Sequence, residues 1–423
     1  MRVRSLMVAL TVWLTSSTAL ANMDINGLFD ARSTAMGSTG VAFIDSAGAI
    51  PINPAALDQI DKLALTLDAT VIMSQPQRVY VITHPAADGG TSQNYETIRF
   101  GRSVSTLPFL GGAYRLHERV VVGAAFYPLV GSGTVNKYLP APELRPDLVL
   151  TNESTTGLVE VGVPISVRIL DNLSVAVMWR ATYLTTSSRS PLTSPYIYMP
   201  GGPDPSYATT EASGWNFGGF EIGVLYRPVP SLRLGLTYRS KVVVDGKGKL
   251  GAAGMEFDLT TPFPNPHAFR AGAAFSALQD RLLIAADFKY ILYEEAFKTI
   301  DVFLVMNGME RTNSRQTNWQ NTISVHLGAE YALLPALRLR AGYAGVQSAT
   351  PKDYADARYA PPGFSHAFSL GFGINVLESL SIDLGGVYIA YQTRVENKTP
   401  NNAGPGLYGS NAAQIAASAT LRL

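Results

Sequence analysis

The connections along this chain come in two lengths, and the two lengths alternate strictly. Short turns fall at His117-Glu118, Asp171-Asn172, Pro228 to Ser231, Gln279-Asp280, Leu334-Pro335 and Leu377-Glu378. Longer polar or Gly/Pro-rich stretches lie between them, at 74–106, 131–155, 187–212, 247–264, 299–317, 348–364 and 397–409. A soluble sandwich has no reason to sort its connections this way. A β-barrel crossing the outer membrane has tight turns on one side and long loops on the other.

The segments between the connections repeat with period two. Leu173, Val175, Val177, Trp179, Ala181 and Tyr183 share one face, and Ser174, Met178, Arg180 and Thr182 share the other. Leu282, Ile284, Ala286, Phe288 and Tyr290 alternate with Arg281, Asp287 and Lys289. The same pattern places Leu337, Leu339, Ala341 and Tyr343 opposite Arg338 and Arg340, and Leu380, Ile382 and Leu384 opposite Ser381 and Asp383. An apolar row backed by a charged row suits a wall between lipid and lumen. Counting segments predicts about fourteen strands, at 61–73, 107–117, 119–130, 156–170, 172–187, 212–228, 230–249, 265–278, 280–299, 317–333, 335–347, 364–377, 379–396 and 409–423. The expected fold is therefore all-β, a transmembrane antiparallel β-barrel.

Composition agrees. The chain is 47% apolar and 15% charged, yet behind residue 21 no run of ~18 apolar residues can form a spanning helix. In lipid, only helices and closed barrels satisfy every backbone group. Arg2 and Arg4, the apolar stretch Leu6 to Leu14 and the small-x-small Ala19-Leu20-Ala21 read as a signal peptide over 1–21. Cysteine is absent, which rules out thiolate metal sites and Cys nucleophiles. A net charge of +1 argues against a nucleic-acid partner.

Residues 33–57, STAMGSTGVAFIDSAGAIPINPAAL, follow neither period. They are small, nearly uncharged and punctuated by glycine. Such a segment is poor material for an ordinary core element.

Three stretches resemble the FadL-type outer-membrane transporters of long-chain fatty acids and other hydrophobic compounds. The first holds Met36-Gly37 and Asn53-Pro54-Ala55, similar to that family's hatch. The second runs from Trp215-Asn216-Phe217-Gly218 through Gly223-Val224-Leu225-Tyr226 to Leu236-Thr237-Tyr238-Arg239-Ser240 and Gly246-Lys247-Gly248. The third holds Tyr359-Ala360-Pro361-Pro362, His366, Ser369, Gly371 and Leu380 to Gly385. The resemblance implies a fourteen-stranded barrel with the hatch inside it, organised as a signal peptide (1–21), an N-terminal hatch (22–58) and a barrel (59–423). As a plug, the segment's small residues bring its backbone close to the wall, and its low charge avoids burying unpaired ions. It implies passive uptake, with substrate caught among outer loops, held in the lumen and released sideways through the wall. Gly37, Asn53 and Pro54 become the hatch and gating residues. A terminal Leu423, where such barrels usually end on an aromatic, departs from the pattern.

The residues themselves suggest where substrate is handled. Arg180, Arg233, Arg239, Arg338 and Arg340 alternate with apolar partners and should point inward. Arg180, Arg239 and Arg338 are candidates to grip a carboxylate head, or else members of an ion-pair network with Asp287, Asp383 and Glu330. Phe126 is a further substrate-binding candidate. Pro128 and Pro164 fall in neighbouring strands, where neither can donate to the ladder; they mark a lateral opening, or Pro128 simply ends its strand at the rim. Tyr138-Leu139, Leu148 to Leu150 and Pro195 to Pro200 put apolar groups in outer loops, as a landing surface or as a lid. None of the histidines (His84, His117, His267, His326 and His366) has a metal-ligand spacing, and there is no Gly-x-Ser-x-Gly elbow. His326 beside Ser324 is only an i, i+2 pair. No enzyme, metal or cofactor is expected. The expected partners are a hydrophobic small molecule and outer-membrane lipid, with the chain a monomer. The alternative function is a surface platform for binding or assembly.

Overall fold

The computed structural model describes residues 29–423 except 86–90, 100–102, 139–147, 193–203, 205, 307, 356–360, 398 and 400–404. The signal peptide, residues 22–28 of the hatch, Leu139, Pro195 to Pro200 and Tyr359-Ala360 lie outside the described residues. The strands in chain order are β1 (Leu63–Pro85), β2 (Thr91–Arg99), β3 (Ser103–His117), β4 (Val120–Tyr138), β5 (Leu150–Leu170), β6 (Leu173–Pro191) and β7 (Tyr207–Val229). They continue as β8 (Leu232–Arg239), β9 (Val242–Ala252), β10 (Met255–Asn265), β11 (Ala268–Ala277), β12 (Leu282–Ile291), β13 (Thr299–Met306) and β14 (Met309–Gln316). The last are β15 (Thr322–Leu334), β16 (Leu337–Gln347), β17 (Phe364–Asn375), β18 (Leu380–Val395) and β19 (Gly406–Arg422).

Fourteen of these form a closed antiparallel ring. From β1 it passes through β3 to β8, crosses to β11 and β12, then runs from β15 to β19. The ring closes where β1 pairs with β19, from Ala64↔Arg422 to Tyr80↔Gly406. The other five strands raise the wall above the ring. β8 breaks at Ser240-Lys241, and β9 carries on upward beside β7. The hairpins β9–β10 and β13–β14 join through Asp258↔Val305 to Thr260↔Phe303. Stretches 247–264 and 299–317, read as loops from composition, are therefore mostly strand. Outside lipid the outward face needs no apolar row, so the alternation that marks a strand fades; β14 (MERTNSRQ) is exposed almost throughout.

Inside the membrane band the two faces separate cleanly. Leu67, Ile165, Val177, Leu236 and Leu370 face outward and are exposed. Aromatic residues form two outward rows: Trp179, Phe220, Phe269 and Phe288 above, Tyr226, Phe275 and Tyr331 below. Phe220 and Tyr226, or Phe269 and Phe275, are six residues apart, about 20 Å along a strand, which matches an apolar band flanked by aromatic girdles.

The hatch fills the lumen. Helix α1 (Ala31–Ala35) is capped by Asp30, which accepts from Ser33 N (3.0 Å) and the Ser46 hydroxyl (2.8 Å). Two 3-10 turns follow, at Ala47–Ala49 and Pro54–Gln59. Asn53 caps the second: its Oδ1 accepts from Ala55 N (3.1 Å), and its Nδ2 donates to Val41 O (2.7 Å) within the hatch and Val224 O (3.1 Å) on β7. Pro54 opens that turn, where its missing N–H costs nothing. The hatch alanines and Met36, Phe43, Ile44, Ile50 and Leu57 are buried, so this segment makes a core with the inner wall.

What lets it fit is a belt of wall glycines. Gly235↔Gly272, Gly328↔Gly342 and Gly371↔Gly385 are cross-strand pairs at inward positions. A Cβ at Gly342 would sink into the backbone of Met36-Gly37; one at Gly235 would meet Val41 O, and one at Gly328 Met36 O. Gly37 itself turns with φ +71° and is pinned by the Ser369 hydroxyl, which accepts from its N–H (2.9 Å).

Charges clamp the hatch at two places. At the turn side, Arg168 Nε donates to both oxygens of Asp58 (3.0 Å each), joined by Arg227, by Arg115 (3.5 Å) and by the Ser174 hydroxyl (2.7 Å). On the far wall, Arg32 binds Glu330 of β15 (2.8 Å) and Asp45 (3.2 Å), and Arg422 of β19 also reaches Asp45 (3.0 Å). Asp287 Oδ2 accepts from Gly40 N (2.7 Å) and Val41 N (3.1 Å).

Two predictions follow from this packing. Gly342→Val should force the hatch backbone off the wall at about 1–3 kcal/mol, seen as faster proteolysis of residues 30–60 with the barrel's heat-modifiable gel mobility retained; outward-facing Ala341→Val should change neither. Burial alone would raise the Asp58 carboxyl, but hydrogen bonds from Arg168, Arg227 and Ser174 outweigh it and hold it below the ordinary value. A lowered native pKa stabilises above the unfolded value of ~3.9 and is lost as pH falls through the native one. Amide exchange of residues 54–60 should therefore be slow at neutral pH, accelerate only on strong acidification, and be fast at neutral pH in Asp58→Ala. That substitution costs about 2–3 kcal/mol, below the usual range for a broken buried pair because the guanidiniums are partly exposed.

Candidate functional site

Between hatch and wall lies a cavity of about 90 Å³. Phe29, Val41 and Ile52 of the hatch form one side, and Ala268, Ile291 and Tyr293 part of the other. Leu129 of β4 reaches it, and so do three cations, Arg239, Arg270 and Lys289, with Asp287. A rings-only roof lies above: Phe297 stands 4.5 Å from Trp319 and 6.0 Å from Tyr293 between ring centroids, and all three are buried. The short helix at Tyr293–Ala296 and the bond from Trp319 N to Phe297 O (3.2 Å) hold this roof.

The wall behind the cavity is a closed polar cluster. Glu160 of β5 accepts from Arg180 Nη1 (2.8 Å), from the Thr182 hydroxyl (2.9 Å), from the Tyr127 hydroxyl (2.9 Å) and from Arg239. Arg239 also lies 3.4 Å from Glu221, and Arg180 Nη2 donates to Ser240 O (2.6 Å). Arg270 Nη1 donates to the hatch carbonyls of Pro51 (2.8 Å) and Ile52 (3.0 Å) and is 3.7 Å from Glu221. Buried charges must be paired, and these are. Three guanidiniums meet two carboxylates, so the cluster carries an excess positive charge of one.

The sequence candidates separate into distinct surroundings. Arg180 and Arg239 share Glu160, and Arg239 also reaches Glu221; their partners are not Asp287, Asp383 or Glu330. Alternation assigns a face but does not say which acid lies across on a neighbouring strand. Arg340 does bind Glu330 and Asp383 (2.6 Å each), and Arg338, near the turn side, is 3.8 Å from Glu330. Arg233 reaches Ser276 (2.9 Å) and Gln59 of the hatch (3.3 Å). Phe126 points outward and is 41% exposed, away from the cavity. Of the outer-loop apolar groups, Leu148 and Leu150 are buried while Val149 is exposed. His326 faces the hatch: its Nδ1 is 2.6 Å from Gly37 O and its Nε2 3.0 Å from the Ser324 hydroxyl. Asp287 lies opposite His326 in the ladder but accepts from hatch amides, so no Ser-His-acid relay forms there.

Near Pro128 and Pro164 the ladder changes. β3 pairs with β4 only from His117↔Val120 to Leu110↔Phe126. Above that point β3 continues along β1 to Ser103↔Ser74, and β4 continues along β5 to Tyr138↔Leu150. The two strands part. On its other side β4 shifts register between Pro128 and Val130, and its pairing with β5 passes from Val122↔Ile165 to Ala125↔Gly162, leaving out Pro164. Phe109, Tyr127 and Leu107 are buried at the parting. Sequence reading missed these three, along with Phe29, Arg270 and the aromatic roof. Parity places each on its face, but nothing in parity shows where two strands separate.

The comparisons with known proteins agree with this architecture. Outer membrane protein P1 of Haemophilus influenzae is 28% identical over 200 residues, covering 45% of this chain and 42% of that protein, so the match spans less than half of the relative. A Pseudomonas aeruginosa FadL homologue superposes with a TM-score of 0.70 at 17% identity, covering 93% of this chain and 98% of that one. The Pseudomonas putida toluene transporter TodX gives 0.70 at 17%, covering 95% and 99%, and the Ralstonia pickettii toluene transporter TbuX 0.66 at 18%, also 95% and 99%. At these identities the likeness is one of fold. The family model for outer membrane protein transport proteins (OMPP1/FadL/TodX) matches residues 8–422, and the chain belongs to that family.

Proposed function

We propose that this chain carries long-chain fatty acids passively across the outer membrane, and that they leave it sideways between β3 and β4. The observation that carries the reading is the end of the β3–β4 ladder at Leu110↔Phe126, above a lumen filled by the hatch. In lipid an unpaired strand edge is costly, so a parting kept at that cost is best explained by a use. The cavity lies on the way: Phe29 and Leu129, both on its lining, stand beside the parting. The exposed apolar groups of the outer crown supply a first landing place, as Val149 does among the described residues.

A fatty acid fits this site better than a neutral hydrocarbon because of charge. The cluster behind the cavity has one guanidinium more than it has carboxylates, and a carboxylate head would balance it. Arg270 is the residue expected to meet the head. It lines the cavity and, unlike Arg239, is not tied to Glu160. Pro128 serves to end pairing at the parting, and Gly37, Asn53 and Pro54 serve to seat the hatch that closes the straight path.

The test is binding to purified protein in detergent. Arg270→Gln should weaken palmitate binding about tenfold, the scale of a lost charge-assisted hydrogen bond, and leave toluene binding unchanged. Equal loss for both ligands would indicate general damage, and no loss for palmitate would remove the carboxylate assignment.

A further inference from the structure

The parting between β3 and β4 is closed by side chains rather than by backbone. Phe29 of the hatch meets Tyr127 edge-on at 5.2 Å and 65°; Phe109 of β3 lies 6.4 Å from Phe29 and 6.5 Å from Tyr127. All three rings are buried. Across the parting Leu107 sits against Gly131, so closely that any side chain at 131 would strike it. Three elements thus contribute groups that can turn aside without breaking a ladder bond.

Only one of these groups is held by a directional bond. Phe29, Phe109 and Leu107 are kept in place by packing. Tyr127 donates its hydroxyl to Glu160 (2.9 Å). Glu160 is itself immobile: it is fully buried and also bound by Arg180, Thr182 and Arg239. The phenol ring is therefore latched across the opening. Arg239, which also binds Glu160, lines the cavity, so the latch and the cavity are linked through one ion pair.

We propose that Tyr127 is the specificity-determining residue of the sideways exit: latched to Glu160, its ring sets the cross-section of what can pass between β3 and β4. This rests on the lateral route proposed above. A single alkyl chain passes when Leu107 and Phe109 turn aside. A fused-ring substituent requires Tyr127 to leave Glu160, and that hydrogen bond is the added barrier. The latch therefore selects slim acyl chains over bulky ones, whatever their head group.

The experiment uses the full chain in the outer membrane of a host lacking its own fatty-acid channel. Uptake rates are measured for radiolabelled palmitate and for a pyrene-tailed fatty acid, and folding is checked by heat-modifiable gel mobility. Tyr127→Phe keeps the ring and removes the latch. It should raise the ratio of pyrene-tailed to palmitate uptake roughly fivefold, the scale of one lost hydrogen bond. Tyr127→Trp, with the larger ring, should lower the ratio; Tyr127→Phe carries the test if the Trp variant does not assemble. In parallel, Leu107→Cys with Gly131→Cys is bridged by a short bifunctional thiol reagent, which has no other target because the chain contains no cysteine. The bridge should stop uptake of both probes. If the bridge stops uptake and Tyr127→Phe leaves the ratio at the wild-type value, Tyr127 is not the selector and the lateral route stands. If uptake survives the bridge, the lateral route falls and the latch with it.

Discussion

Everything in this molecule depends on one constraint: within lipid, every backbone N–H and C=O needs a partner. The ring from β1 to β19 meets it by closing on itself, and the register of that closure sends each alternate residue to lipid or to lumen. The apolar outer rows and the aromatic girdles follow from the same alternation. The constraint also makes its own exception conspicuous. Where β3 and β4 part above Leu110↔Phe126, the wall gives up ladder bonds and fills the space with Phe29, Phe109, Tyr127 and Leu107.

The hatch is the second half of the same arrangement. A wall whose inner face carried ordinary side chains would hold the plug at arm's length and leave channels around it. Glycine at inward positions on β8, β11 and β15 to β18 lets backbone meet backbone. The clamps at Asp58 and Arg32 then fix a segment that has almost no regular structure of its own. On the proposed route the seated plug blocks the straight path, and substrate passes by way of the cavity and the parting.

Much of this was legible in the residues because the physics that dictates it is local. Period-two alternation and the two turn lengths yield the strand count, and the small-residue run at 33–57 marks a segment meant for close approach. Other features were hidden for physical reasons. The hairpins at 242–265 and 299–316 stand above the membrane, where an outward row need not be apolar, so their alternation gave little signal. The partners of Arg180 and Arg239 depend on which strands lie side by side and at what stagger, which no single strand encodes. The glycine belt did leave a signal: Gly235, Gly272, Gly328, Gly342, Gly371 and Gly385 all fall on inward parity, which could have been read as the mould of the hatch.

The central claim is that the hatch stays seated while substrate leaves through the wall. It is tested by fastening the hatch to the barrel and measuring transport. Asp45 of the hatch and Arg422 of β19 meet at 3.0 Å with both side chains partly exposed, so Asp45→Cys with Arg422→Cys can be joined by a bifunctional thiol reagent that has a disulfide in its spacer. Palmitate uptake by the joined protein should match that of the same protein after the spacer is reduced. Uptake that is lost on joining and returns on reduction would mean that the hatch must move out of the lumen, and would contradict the account.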